Sequence, residues 1–247
     1  MEQVPLNYSD PAYLVIGNGR LAGHFLHYFD LLGIRWYQCT RQNLQEFYDL
    51  INTSDHDRRI SRVLLLIRDD QIAGFVREYK PQAPSEVIWI HCSGVLSIDD
   101  AESAHPLASF SEVMFTDDFY QSIPFVTEKG RPGFNTLFPG LPNPNFEITK
   151  EQKTLYHAMC SVSGNFTTML WQHFFNYLKH DLGFPEHMAF PFLESIAKNL
   201  VLSEDPLTGP IKRGDAKTVE RHLDALKNTS LERVYRAFIN FYKDSKL

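Results

Sequence analysis

The run Ala12-Tyr13-Leu14-Val15-Ile16-Gly17-Asn18-Gly19-Arg20-Leu21-Ala22 constrains this chain more than any other stretch. An apolar segment breaks into Gly-x-Gly-x-x-Ala, and Leu21, Phe25, Tyr28, Phe29 and Leu32 then recur at helical spacing. That pattern predicts a buried parallel strand over 13–16, a sharp turn and a helix. In such a turn the first glycine permits the bend, the second lets backbone approach a pyrophosphate, and the small third residue lets the helix pack on the sheet. Unpaired amides and the positive end of the helix dipole favour phosphate there. Gly17, Asn18, Gly19, Arg20, Leu21 and Ala22 are therefore the expected dinucleotide-binding turn, with Arg20 either reaching a phosphate or facing water.

A second strand is expected over 34–39, after Gly33 as a helix C-cap, which completes a βαβ unit of about 30 residues. An NAD site usually places a carboxylate at this strand end for the ribose 2′-hydroxyl. The chain instead reads Cys39-Thr40-Arg41-Gln42. Arg41 is the residue type that pairs with a 2′-phosphate, and Thr40 adds a hydroxyl. The pattern favours NADP(H) over NAD(H); Arg41 as an ordinary solvated charge is the competing reading.

Downstream, the patterns predict a helix over 43–52, a polar loop over 53–59 and a strand over 63–67. Asp69 or Asp70 should cap the next helix, which carries Ile72, Phe75 and Val76. A strand over 87–90 runs into His91-Cys92-Ser93-Gly94, followed by a short helix, His105-Pro106, and a late strand at 124–126. Strands alternating with helices imply a doubly wound parallel sheet with ligands at the C-terminal strand edge. Gly17, Arg41, Arg68 and His91 should share that rim. The proline- and glycine-rich segment 130–144 reads as a connector or a loop over the cleft.

From Thr149 the spacing becomes helical, with Leu155, Met159, Val162, Phe166, Met169, Leu170, Phe174 and Tyr177 in one broad stripe. Further helices are expected over 186–202, 215–226 and 231–242. The fold class is thus α/β: a Rossmann dinucleotide-binding domain over 1–147 and an all-helical domain over 148–247. The stripe should bury against a second subunit, giving a homodimer, or within the chain.

A net charge of −6 without a basic run argues against nucleic acid. No apolar run approaches the ~18 residues of a membrane span, and Met1–Tyr8 has neither the basic segment nor the apolar core of a secretory signal. Cys39, Cys92 and Cys160 at unrelated spacings suggest reduced thiols in a cytoplasmic compartment. No metal site is expected, and His24 and His27 read as a solvated helix face.

Hydride transfer to a carbonyl or imine needs a group that delivers a proton or stabilises the developing anion, and a histidine titrating near neutral pH suits that task. The catalytic candidates are His91, Ser93, His105 and Asn165. His91 as a strand-end histidine bonded to backbone, His105 as a loop brace, and Asn165 as a core contact at a helix crossing are the structural alternatives. Gly164 is unfavourable in mid-helix by roughly 1 kcal/mol, which calls for a reason. Thr208 and Arg213 are candidates for binding a substrate carboxylate or phosphate, with an interhelical loop contact as Arg213's alternative. Asp215 is a natural N-cap. No nucleophile elbow is present.

Taken together, the glycine turn, Asp69-Asp70-Gln71-Ile72, His91-Cys92-Ser93-Gly94, His105-Pro106-Leu107-Ala108-Ser109-Phe110, Leu155-Tyr156-His157-Ala158, Ser163-Gly164-Asn165-Phe166 and the run from Leu207 to Asp215 resemble the bacterial Rossmann-like family DUF2520. That family is related to pyrroline-5-carboxylate reductase and the deazaflavin-dependent NADP oxidoreductases. The resemblance implies an NADP-binding domain, a helical substrate and dimerisation domain, and oxidoreductase activity on an unassigned substrate. The chain departs from the pattern at 130–144, where a regular helix is expected, and at Cys92, where a more inert residue is. The leading expectation is an NADP(H)-dependent oxidoreductase acting on a small polar molecule in an interdomain cleft. A non-catalytic NADP-binding sensor or interaction protein is the alternative. A methyltransferase using S-adenosylmethionine is weaker, because the second strand ends without an acid for the ribose hydroxyls.

Overall fold

The computed structural model describes residues 12–53, 55 and 58–245. Met1–Tyr8 and part of the 53–59 loop lie outside the described residues. The chain divides into two compact units, one up to Leu170 and one from Trp171.

The first unit is built on a seven-stranded sheet of order β2-β1-β3-β4-β5-β6-β7. Its strands are β1 (Ala12–Ile16), β2 (Trp36–Cys39), β3 (Ile60–Leu65), β4 (Ile88–His91), β5 (Glu102–Pro106), β6 (Phe125–Glu128) and β7 (Asn145–Ile148). Every pairing is parallel except β5 with β6. Helices α1 (Arg20–Leu31), α2 (Phe47–Ile51), α3 (Asp69–Tyr79), α4 (Asp117–Ser122) and α5 (Phe134–Leu137) connect them. Strict alternation along the strands sorts two cores. Tyr13, Val15, Leu64 and Ile90 face one side with Phe25, Phe29, Phe125 and Phe138. Leu14, Ile16, Val63, Leu65 and Trp89 face the other with Phe47, Ile72 and Val76. A strand buried on both faces must be apolar, which is why β1 and the Val63–Leu65 half of β3 read so clearly in the sequence, while half-buried Ser61 and Arg62 hid where β3 begins.

Four details differ from expectation. No helix precedes His105: a single Ile98–Ala101 bridge leads into β5, which contains His105 and Pro106. Arg68, rather than an aspartate, occupies the N-cap of α3, and Asp69 and Asp70 fall in its first turn. The 130–144 segment does not cover a cleft: Tyr13 and Arg62 donate to carbonyls of α5 at Thr136 and Leu137. Those two residues lie on the amino-terminal halves of β1 and β3, opposite Gly17. Finally, His24 is buried, bonded to Tyr120 at 2.7 Å and to the Ser111 carbonyl at 3.0 Å, rather than solvated.

Helix α6 (Lys150–Cys160) follows β7, with Gln152 Oε1 accepting from the Thr149 amide at 2.8 Å. A π-helical segment, Ser161–Phe166, contains Gly164 and leads into α7 (Thr167–His180). A Cβ at Gly164 would meet nothing within 4 Å among the described residues, so no close approach explains the glycine.

The second unit contains the remainder of α7 with α8 (Phe190–Leu202), α9 (Pro210–Arg213), α10 (Ala216–Ala225) and α11 (Ser230–Ser245). Trp171 packs on Phe174, Phe175 and Phe192. Asp215 caps α10 as expected, accepting from the Thr218 amide at 3.1 Å and hydroxyl at 2.7 Å.

Candidate functional site

The glycine turn sits where the strand order reverses, between β1 and β3. Gly17 has φ +127°, and a Cβ there would lie 2.3 Å from the Leu66 carbonyl oxygen, so only glycine fits. Its amide donates to the Cys39 carbonyl and its own carbonyl accepts from Gln38 Nε2 at 2.8 Å, which ties the turn to the end of β2. At Gly19 a Cβ would meet nothing within 4 Å, leaving open space above the N-terminus of α1. Ala22 is fully buried against the sheet, and Leu21 packs on the same core. Arg20 points elsewhere, toward Glu112 at 3.6 Å with both side chains exposed.

A cleft of about 680 Å³ opens at this edge, lined by Gly17, Asn18, Gly19, Thr40, Arg41 and Arg68, with Gln71, Phe75, Glu78 and Tyr79 of α3 on its wall. Thr40 and Asn43 close a tight turn: the Thr40 amide and hydroxyl both donate to Asn43 Oδ1, at 2.7 and 3.0 Å. Arg68 is neutralised by Asp70, bonded through two nitrogens at 3.1 and 2.9 Å. Arg41 bonds the neutral Gln71 oxygen at 3.3 Å and, among the described residues, meets no carboxylate. Its positive charge is therefore available to an anion. The donor set fits a phosphorylated dinucleotide: backbone amides at a helix N-terminus, an open turn over the second glycine, and an uncompensated guanidinium where a ribose would lie.

The other candidates stand at the carboxyl ends of β4 and β5. His91 is fully buried. The Ser93 amide donates to His91 Nδ1 at 3.3 Å, which leaves the proton of a neutral ring on Nε2, buried without a partner among the described residues. Burial, reinforced by the Lys153 and Arg131 charges, lowers the His91 pKa to about 4. His105 is likewise lowered to about 4, by burial, His157 and Lys153. Both rings are neutral at pH 7, so neither titrates near neutrality as the sequence suggested. Burial removes the water that would stabilise the imidazolium. Ser93 donates to Asp69 Oδ2 at 2.6 Å and receives the amides of Val95 and Leu96, so its hydroxyl organises the loop. Cys92 is buried, and burial pushes its thiol well above the usual range, which makes it inert in practice.

Sequence reading missed the face that α6 turns to this strand edge. Lys153, Tyr156, His157 and Cys160, at helical spacing i, i+3, i+4 and i+7, form its inner stripe. Lys153 is 2% exposed and donates to Ser103 Oγ at 2.5 Å. Tyr156 Oη and His105 Nδ1 share a hydrogen bond at 2.9 Å. A Cβ at Gly94 would lie 2.5 Å from His157 Cδ2 and 3.0 Å from His105 Cδ2, so the glycine is what lets α6 dock. Meanwhile Leu155 and Met159, the apolar residues that announced the helix, are 68% and 56% exposed. The helix is amphipathic with its polar side in. Asn165 lies exposed on the π segment, which removes the core contact considered for it. In the second unit, Arg213 ends α9 and Thr208 lies just before it, while neighbouring Lys212 pairs with Asp205 at 2.9 Å.

Residues 125–240 match the family described as a domain of unknown function, DUF2520. The resemblance read from the motifs therefore holds over that segment. Among functionally curated proteins none matches. The fold is similar to a Bacteroides fragilis protein provisionally named an NADP oxidoreductase, with a TM-score of 0.76 at 19% identity over 95% of this chain and 98% of that one. It is also similar to protein TM1727 of Thermotoga maritima (TM-score 0.67, 23% identity, 94% and 97% coverage). Plasmodium falciparum pyrroline carboxylate reductase, solved with NADP bound, aligns with a TM-score of 0.56 at 11% identity over 95% and 99% of the two chains. At these identities the likeness concerns the fold. Among the described residues no helix is long and apolar enough to cross a membrane, and no cluster of three His, Cys, Asp or Glu side chains could hold a metal.

Proposed function

We propose that the chain is an NADP(H)-dependent oxidoreductase acting on a small polar carbonyl or imine compound. One observation carries the cofactor reading: Arg41, uncompensated by any described carboxylate, lines the same cleft as the Gly17–Gly19 turn. In this reading Gly17, Asn18, Gly19, Leu21 and Ala22 build the pyrophosphate cradle, while Thr40 and Arg41 meet the ribose 2′-phosphate and Arg68 flanks it. Arg20, paired outward with Glu112, has no direct part in the cradle. The nicotinamide, when bound, supplies or accepts a hydride. The protein's part is to hold the acceptor and to move the accompanying proton.

His105 is the catalytic candidate that shares a bond with another half-buried polar side chain, Tyr156; His91 and Ser93 support the strand-end loop. Asn165 in the first unit is proposed to engage substrate, and Thr208 and Arg213 in the second unit are proposed to bind an anionic group. Arg213→Ala should then raise KM for an anionic substrate while leaving NADPH affinity unchanged. Incubating the protein with NADPH and a panel of 2-keto acids, aldehydes and cyclic imines tests the activity. Oxidation dependent on one acceptor class is expected, whereas tight binding without turnover would favour a nucleotide sensor.

We further propose a homodimer. Among the described residues of the second unit Leu178 and Ala189 are buried, while Phe192, Leu200, Val201 and Leu202 are largely exposed; in the first unit Leu155, Met159, Phe166 and Met169 along α6 to α7 are exposed. Exposed apolar side chains in such number support an interface.

A further inference from the structure

The inner stripe of α6 is polar where a helix docked on a sheet is normally apolar, and dinucleotide binding uses none of it. Tyr156, His105 and His157 converge over Gly94 at the carboxyl ends of β4 and β5, with Lys153 buried beside them. In a doubly wound sheet the dinucleotide crosses the switch point, so the half beyond the pyrophosphate runs from the β1 turn toward this edge. We propose that Tyr156 is the proton donor of the hydride-transfer reaction, with His105 and Lys153 as its positioning residues. This rests on the oxidoreductase reading above and names the residues that complete it.

The chemistry balances with the groups present. With a hydride delivered to the acceptor carbon, the Tyr156 O–H bond would break and its proton would bond to the acceptor oxygen or nitrogen. The phenolate is then reprotonated by the Nδ1 proton of His105 as Nε2 takes one from solvent in the same event, so the ring stays neutral and the one proton consumed comes from solvent. Burial holds the phenol well above its ordinary pKa, so at neutral pH Tyr156 always carries the proton it gives. Burial and the adjacent cation keep His105 neutral, with one nitrogen to donate and the other to accept. Lys153 stands one helical turn from Tyr156 on the same face, bonded to Ser103 Oγ, and its charge acts on His105, the phenol's hydrogen-bond partner. Burial lowers the Lys153 pKa, and Glu128 and Asp69 oppose that by favouring its charged form. Cys160 is the remaining group at the phenol.

The test uses the full chain with nitrogen-15-labelled histidine, titrated with NADPH and with 2′-phospho-ADP-ribose, which lacks the nicotinamide. NADPH should shift the His105 and His157 ring resonances, and the fragment should bind without shifting them. Tyr156→Phe should move the His105 Nδ1 resonance while changing NADPH affinity less than threefold. Lys153→Met should raise the His105 titration midpoint, and Lys153→Arg, which keeps the charge, should restore it and serves if the methionine variant does not fold. With any acceptor the enzyme reduces, Tyr156→Phe should lower kcat about 100-fold or more with little change in KM. NADPH binding that leaves both histidines unmoved, or a His105 midpoint insensitive to the Lys153 charge, overturns the proposal. Failure of wild-type protein to bind NADPH at all overturns the nucleotide reading beneath it, and calorimetry tells the two failures apart.

Discussion

Gly17 and Gly94 are the two positions where a single missing Cβ decides the geometry. Gly17→Ala must place a side chain against the Leu66 carbonyl in a left-handed conformation. The strain alone is about 1–3 kcal/mol, and urea unfolding should show at least that loss together with loss of nucleotide binding. Gly94→Ala would push His157 and α6 away; its expected signature is impaired turnover with NADPH affinity retained. The neutral histidines set the acid response. His91 and His105 bind protons more readily unfolded, near their ordinary 6.5, than folded, near 4. The unfolded chain therefore gains protons first as pH falls, and stability drops between about pH 6.5 and 4 before levelling. Each residue contributes on the order of 3 kcal/mol. Urea midpoints measured across that range check this; His105→Gln should flatten the curve, and an unchanged slope would contradict it.

Legibility differed from element to element for physical reasons. Strands β1 and β3 and helix α1 were readable because burial on both faces, or on one broad stripe, leaves a strong apolar period. Strand β5 was not, because Glu102, Ser103, His105 and Pro106 carry polar or ring side chains: Ser103 and His105 bond Lys153 and Tyr156 of α6, and Glu102 pairs with Arg131. The apolar stripe of α6 was visible, but a single sequence gives the period of a helix and not which face meets the chain's own core. Here the polar face does, so Lys153 and Tyr156 escaped notice as site residues. The turn from Gly209 through Asp215 was readable from its glycines and cap. Asp215→Ala removes both bonds to Thr218 and should lower the thermal midpoint of the helical unit. Those same bonds hold the Asp215 carboxyl below its ordinary pKa. Its stabilisation is present above that ordinary range and lost as pH falls through the folded value.

For the molecule as a whole, the sheet edge with its cleft and the outward apolar stripe are proposed to serve different ends, nucleotide binding and self-association. Light scattering at micromolar concentration should report a dimer, and Met159→Asp combined with Met169→Asp should yield monomer that still binds NADPH. A wild-type monomer would contradict the dimer without touching the site. The central claim, that this cleft selects a 2′-phosphorylated dinucleotide through Arg41, is tested most directly by calorimetric titration of wild type and Arg41→Ala with NADPH and NADH. Wild type should bind NADPH at least tenfold more tightly than NADH, and Arg41→Ala should abolish that preference by weakening NADPH alone. Equal or tighter binding of NADH by wild type, or unchanged NADPH affinity in the variant, would contradict it.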